Sequence, residues 1–248
     1  IKTETIMQQV ELWALIPFVL MLLSIAVLPI VKEHWWENNT HKLYVSLLLA
    51  LPAAIYLLAN NMGANLEHQI LFDYIPFIVL LGALFVVTGG IHIRGDIQAR
   101  PINNTLIMFV GFLLASFIGT TGAAMLTIRL LLEVNQQRKY KVHTILFFIA
   151  LVANCGGVLT PLGDPPLFLL YLRGAEFGWF MNLLPEWAFV GAILLVLYLV
   201  IDYSFYYRKE QMVDIMADVH EKRPITVTGK INIIYLVGII LAVSFLNP

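Results

Sequence analysis

An all-α polytopic membrane protein is the fold class this sequence predicts, and three observations carry it. Of the 248 residues, 60% are hydrophobic and only 12% charged, with a mean hydropathy of +0.83; soluble domains run at about 45–50% apolar and about 25% charged. Apolar runs of roughly 20 residues, the length that crosses a hydrocarbon core, recur along the chain. Two further apolar stretches are too long for one crossing and are interrupted by glycine and proline, which predicts a helical hairpin and a discontinuous transmembrane helix.

The plain helices are read first. The run LWALIPFVLMLLSIAVLPIV (12–31) is long enough to span and lacks the small-residue cleavage site of a signal peptide. Runs over 43–59, 74–92 and 187–202 read as further scaffold helices, and residues 231–248 begin another. Trp35, Trp36, Tyr203, Tyr206 and Tyr207 fall at span ends, where aromatic belts form. Glu186, Asp202 and His92 fall at span ends too and read as interfacial. Residues 208–230 form a cytoplasmic connector, in which KEQMVDIMADVHEKR (209–223) reads as an amphipathic helix or loop. The chain starts at Ile1 and stops at Asn247-Pro248 just after an apolar run, so it is expected to be trimmed in front and cut short behind.

The interrupted stretches come next. Residues 103–135 are broken at GTTGAA (119–124), and residues 142–172 at NCGGVLTPLGDPP (154–166). Basic residues test how these segments cross. If the N-terminus lies outside and 103–135 enters and leaves by one face, loops 32–42, 93–102, 135–141 and 203–230 all fall inside. Those loops hold twelve of the fifteen Lys and Arg residues, leaving Lys2 and Arg173 outside and Arg129 within the hairpin. The positive-inside rule favours that arrangement. Charge alone does not separate a re-entrant hairpin from two complete short spans.

The chemistry sits at the two breaks. The hairpin tip offers the hydroxyls of Thr120 and Thr121. The other break offers Asn154, Thr160 and Asp164, with unwound carbonyls around Gly156, Gly157 and Gly163. Freed carbonyls inside a bilayer need a partner, and a hard cation takes oxygen ligands. Half-helix N-termini can instead hold an anion, but Asp164, one full negative charge close to neutral oxygens, suits a small monovalent cation or a proton. The bland readings are that each break is only a packing kink, and that Asp164 pairs with Arg129 of the second hairpin arm. Net charge is −1, which gives no reason to expect a nucleic-acid partner. The single cysteine, Cys155, excludes an internal disulfide framework. No nucleophile–base set or metal-ligand spacing is present, so neither an enzyme nor a cofactor is expected.

FIGTTGAAMLTIR (117–129), GGVLTPLGDPPLFLLYLRG (156–174) and FDYIPFIVLLGALFVVTGGIHIRGD (72–96) resemble the ion transporter superfamily. They are most similar to its branch of bacterial sodium:proton antiporters often labelled citrate-transporter-like. The resemblance covers the chain from about residue 70 onward. It implies an inverted-repeat fold in which each repeat contributes a re-entrant hairpin and a broken helix. Residues 1–207 would then be the first transmembrane repeat, and 231–248 the truncated start of the second. The first-repeat site would involve Thr120, Thr121, Asn154, Thr160 and Asp164, with Asp164 and Thr160 as sodium ligands and Asp164 also carrying the exchanged proton. Leu130 stands where a proline often follows the hairpin arginine.

The function so implied is secondary transport, first of all exchange of sodium or lithium for protons. The alternatives are an ion-coupled carboxylate (citrate-like) or arsenite carrier and, from another class, a non-transporting membrane subunit of a larger complex. The expected partners are the lipid bilayer, sodium and protons, the missing C-terminal repeat and, as an option, a second copy in a homodimer. The expected location is the bacterial inner membrane.

Overall fold

The computed structural model describes residues 11–210 and 223–245, and the chain divides into two compact units, residues 1–72 and 73–248. Among the described residues, five helical stretches are long and apolar enough to cross a membrane: Leu12–Val31, Asn39–Ala59, Gly63–Gly89, Pro101–Ile118 and Phe177–Lys209. The fold is an all-α polytopic one.

The first unit holds α1 (Ile16–Val31, entered through a short 3-10 turn), α2 (Glu33–Glu37), α3 (Asn39–Ala59) and α4 (Gly63–His68). Asn38 caps α3 by accepting the Thr40 N–H at 2.9 Å, which satisfies one of the orphan amides of a helix start. Helices α1 and α3 pack together, with Trp13 edge-on to Tyr56. Neither buries a single residue, although both are strongly apolar. Apolar surface on that scale is stable only against lipid.

The second unit carries the core. It holds α5 (Ile75–Gly89), β1 (His92–Asp96), α6 (Pro101–Ile118), α7 (Thr120–Val134), α8 (Val142–Phe148), α9 (Pro165–Leu172), α10 (Leu184–Ile201), β2 (Arg223–Thr228) and α11 (Lys230–Phe245). Half of α6 is buried, against none of α1 or α3. Met108, Phe112 and Ala115 of α6 meet Ala123, Leu131 and Val134 of α7, and Leu151 and Val152 close the cluster. The α6–α7 hairpin is therefore the packed centre of this unit, and α5, α8 and α10 are laid around it.

The sequence from Val142 to Leu172 is one interrupted rod. Helix α8 passes into a π-helix (Ile149–Cys155) and a 3-10 turn (Gly156–Val158), stops, and restarts as α9. Seventeen residues precede the stop, about 25 Å of rise, and α9 adds about 12 Å beyond it. The interruption thus lies well inside a hydrocarbon core of about 30 Å.

Two parts differ from the sequence reading. Residues assigned to loops form a short antiparallel pair, β1 with β2, in which His92 faces Thr228, Ile93 faces Val227 and Arg94 faces Thr226. Its register shifts between Arg94 and Asp96. The strands are too short and too polar to stand out beside membrane helices. The amphipathic segment expected over 209–223 lies mostly outside the described residues; Arg223 itself opens β2.

Candidate functional site

Helix α6 ends at Ile118 and α7 begins two residues later. Gly119 makes this turn alone, at φ +79°, a conformation that glycine adopts without a Cβ penalty. The Thr120 N–H then donates to the Gly163 carbonyl at 3.0 Å, so the hairpin tip is bonded directly to the interruption in the broken helix. Asp164 is extended (φ −143°, ψ 140°) and caps α9, whose first two residues are Pro165 and Pro166. A residue before proline is pushed out of the α region, and prolines fit a helix start because they lack the N–H that would be orphaned there.

The polar groups of the break find partners within the protein. The Gly156 carbonyl accepts the Ser116 hydroxyl at 2.5 Å and the Trp187 indole N–H at 3.1 Å. Thr160 donates its hydroxyl to the Ser116 carbonyl and accepts the Leu162 N–H at 3.2 Å. The Gly163 N–H closes onto the Thr160 carbonyl at 3.1 Å. Gly157 and Gly163 touch backbone to backbone: a Cβ on Gly163 would lie 2.0 Å from the Gly157 oxygen.

Thr120, Gly156, Gly157, Thr160, Gly163 and Asp164 are thus gathered at one place, and the protein supplies partners to several of them there. Carbonyls expected to face a cation, those of Gly156 and Gly163, are engaged by protein donors. Thr160, expected to ligate sodium with Asp164, gives its hydroxyl to the Ser116 carbonyl. Asn154 is exposed and donates to the Ile149 carbonyl at 2.8 Å, away from the tip. Arg129 is not brought to Asp164. No ion pair joins them among the described residues, and Arg129, nine residues along α7, lies about 13 Å of rise from the tip.

A cavity of about 380 Å³ opens beside the tip. Its walls are Leu81, Leu84 and Phe85 of α5, the first turn of α7 and Leu162, Gly163 and Pro165 of the break. Thr88, Thr120 and Thr121 bring hydroxyls to it, and no acidic or basic side chain lines it. The N-terminal turn of α7 faces it; such a turn has unsatisfied amides and the positive end of the helix dipole. Thr121 is exposed on this wall.

The sequence reading missed a second polar centre. Asp202, read as interfacial, is fully buried. It takes a two-pronged contact from Arg138 (2.9 and 2.5 Å) and the Tyr198 hydroxyl at 3.0 Å, and His143 Nε2 stands 2.9 Å away. Glu210 meets Arg138 Nε at 3.4 Å and accepts the backbone amides of Lys139 and Tyr140. Burial opposes the Arg138 charge, but the Asp202 hydrogen bond and charge outweigh it and hold the guanidinium pKa above its ordinary value. Asn104 and Asn135 exchange amide bonds of 2.8 Å, tying α6 to the end of α7. A Lys/Arg-rich turn followed by a histidine, with one aspartate closing an apolar run, was the only signal for this cluster.

Residues 7–247 match a protein-family model described as "Putative citrate transport". The chain is also 28% identical over 134 residues to the inner membrane protein YbiR of Escherichia coli strain K12, an alignment covering 49% of this chain and 36% of that protein. The chain thus spans about a third of the length of that curated relative. No solved structure matches it.

Proposed function

The chain belongs to the citrate-transport family, and from that premise we propose that it supplies one side of the substrate site of a cation-coupled secondary carrier for a small organic carboxylate. The observation that carries this reading is the 380 Å³ cavity between α5, the hairpin tip and the break, lined by hydroxyls and apolar groups and by no charged side chain. Small-molecule sites begin at about 300 Å³, far more room than one dehydrated sodium needs. The first turn of α7 turns its partial positive charge toward that space, which suits an anion.

Asp164 stands beside the cavity without lining it. Its charge opposes an incoming carboxylate, and a bound cation or proton cancels that opposition. Coupling then follows from electrostatics: the carboxylate binds well only when Asp164 is neutralised. The test is uptake of labelled citrate and succinate into vesicles holding the full-length transporter, under imposed sodium or proton gradients. Uptake by the wild type should require a cation gradient. Asp164→Asn should fold and lose that requirement or lose uptake altogether. Gradient-dependent uptake at the wild-type rate in folded Asp164→Asn would overturn the coupling role.

Exchange of sodium for protons is the second reading. The observation favouring it is that Asp164 sits at the interruption, directly after the Gly163 whose carbonyl accepts the Thr120 N–H, and has no ion-pair partner among the described residues. It requires no carboxylate: sodium-induced proton efflux from vesicles free of organic acids, abolished in Asp164→Asn, would select it over the first.

A further inference from the structure

We propose that a second cavity, formed where β1 meets α7, binds the phosphate headgroup of an anionic phospholipid. This cavity, of about 310 Å³, is lined by His92, Ile93, Arg94, Arg129, Leu132 and Glu133. Two guanidinium groups from elements 35 residues apart in the chain therefore share one space. Both arginines are exposed, and neither makes an ion pair with any described residue. The one carboxylate present, Glu133, faces the Gly95 N–H at 3.5 Å. Two positive charges against one negative leave the cavity cationic, and it stays so whatever the state of His92.

The fork geometry of arginine matches the oxygens of a phosphate. A lipid headgroup, rather than free phosphate, is favoured by the apolar half of the lining. Arg129 and Leu132 are one turn apart on the same exposed face of α7, and Leu132 is 44% exposed. Arg129 also lies five residues before the end of that helix at Val134, about 7.5 Å of rise. A long basic side chain at that depth runs its stem along apolar surface and its head toward the headgroup layer. An acyl chain would cover Leu132 while the phosphate bridges Arg129 and Arg94. Pairing of β1 with β2 fixes Arg94 at that position, because its backbone is held opposite Thr226.

The experiment uses the full-length transporter, delipidated in neutral detergent, and titrates it with short-chain phosphatidylglycerol, short-chain phosphatidylcholine and inorganic phosphate in separate arms. The readout is the thermal unfolding midpoint, which rises as a ligand binds the folded state. Phosphatidylglycerol should raise the midpoint saturably; phosphatidylcholine and millimolar phosphate should not. Arg94→Gln/Arg129→Gln should raise the concentration needed for half the shift at least about tenfold, while Arg208→Gln, outside the cavity, leaves it unchanged. Should the double variant fold poorly, Arg94→Lys/Arg129→Lys keeps the charge, loses the forks and should weaken the response severalfold. An equal response of wild type and both double variants would overturn the site. An equal, arginine-dependent shift with inorganic phosphate would overturn the lipid as its occupant.

Discussion

At the scale of single residues, Asp202 shows where a sequence stops speaking. It closes an apolar run, as interfacial carboxylates do, and nothing in its neighbours announces that Arg138, 64 positions earlier, ends on it. Burial of a charge is decided by what arrives from elsewhere in the chain, and that information is tertiary. The break over 159–164 was legible for the opposite reason: Pro161, Pro165 and Pro166 oppose a continuous helix locally. The buried pair makes a quantitative prediction. Removing one partner of a buried ion pair costs about 3–5 kcal/mol, because the other charge is left uncompensated. Asp202→Asn should therefore lower the unfolding midpoint sharply and reduce folded yield in detergent. His143→Gln, which removes one contact and leaves the Arg138 bonds, should cost on the order of 1 kcal/mol. Equal midpoints for wild type and Asp202→Asn would mean that the pair does not hold the turn between α7 and α8 to α10.

At the scale of elements, the two breaks act as one joint. The hairpin tip donates the Thr120 N–H to Gly163, and Gly163 fits only because Gly157 opposite it also lacks a side chain. The double glycine and the Gly-Asp-Pro-Pro run made the joint legible; the course of the rod leading to it was not. Asn154 lies within the π-helix over Ile149–Cys155, where the turn is wider than 3.6 residues. Its side chain is exposed and bonds back to the Ile149 carbonyl. The joint predicts an asymmetric response to added methyl groups. In Gly163→Ala the new Cβ would meet backbone at 2.0 Å, a contact no side-chain rotation relieves. Overpacking of this kind costs about 1–3 kcal/mol or more, so folded yield should fall and the tip should part from the break. Gly238→Ala, in α11 with nothing within 4 Å of the new methyl, should be neutral or slightly stabilising. Matching stability and uptake for the two variants would remove the joint from the account.

At the scale of the whole molecule, the charged loops sort themselves into two groups by contact. Within the second unit, β1 in loop 93–102 pairs with β2 in loop 203–230. Arg138, in loop 135–141, reaches Asp202 and Glu210 at the other end of that same loop. These three loops therefore lie on one side, and they are the basic ones. Asp73 and Arg173, which precede α5 and follow α9, approach within 3.7 Å of each other and form the second group. Helix lengths agree: the rod from Val142 to Leu172 is long enough to separate the groups by a bilayer core, whereas α6 and α7 start and finish with the first group and pack along the rod from Leu151 and Val152 to its interruption. The return of α6 and α7 to the first group fits either a hairpin that turns at depth or two complete short spans. The positive-inside rule predicts that the first group, where basic loops gather, is the cytoplasmic one. Single cysteines at Lys139 and Arg173, both exposed, in a Cys155→Ala background, should react with a membrane-impermeant maleimide from opposite faces of the intact cell. Position 173 should label from outside and position 139 only after permeabilisation. Labelling of both from outside would break the hairpin arrangement, and the reverse pattern would invert the orientation while leaving the packing intact.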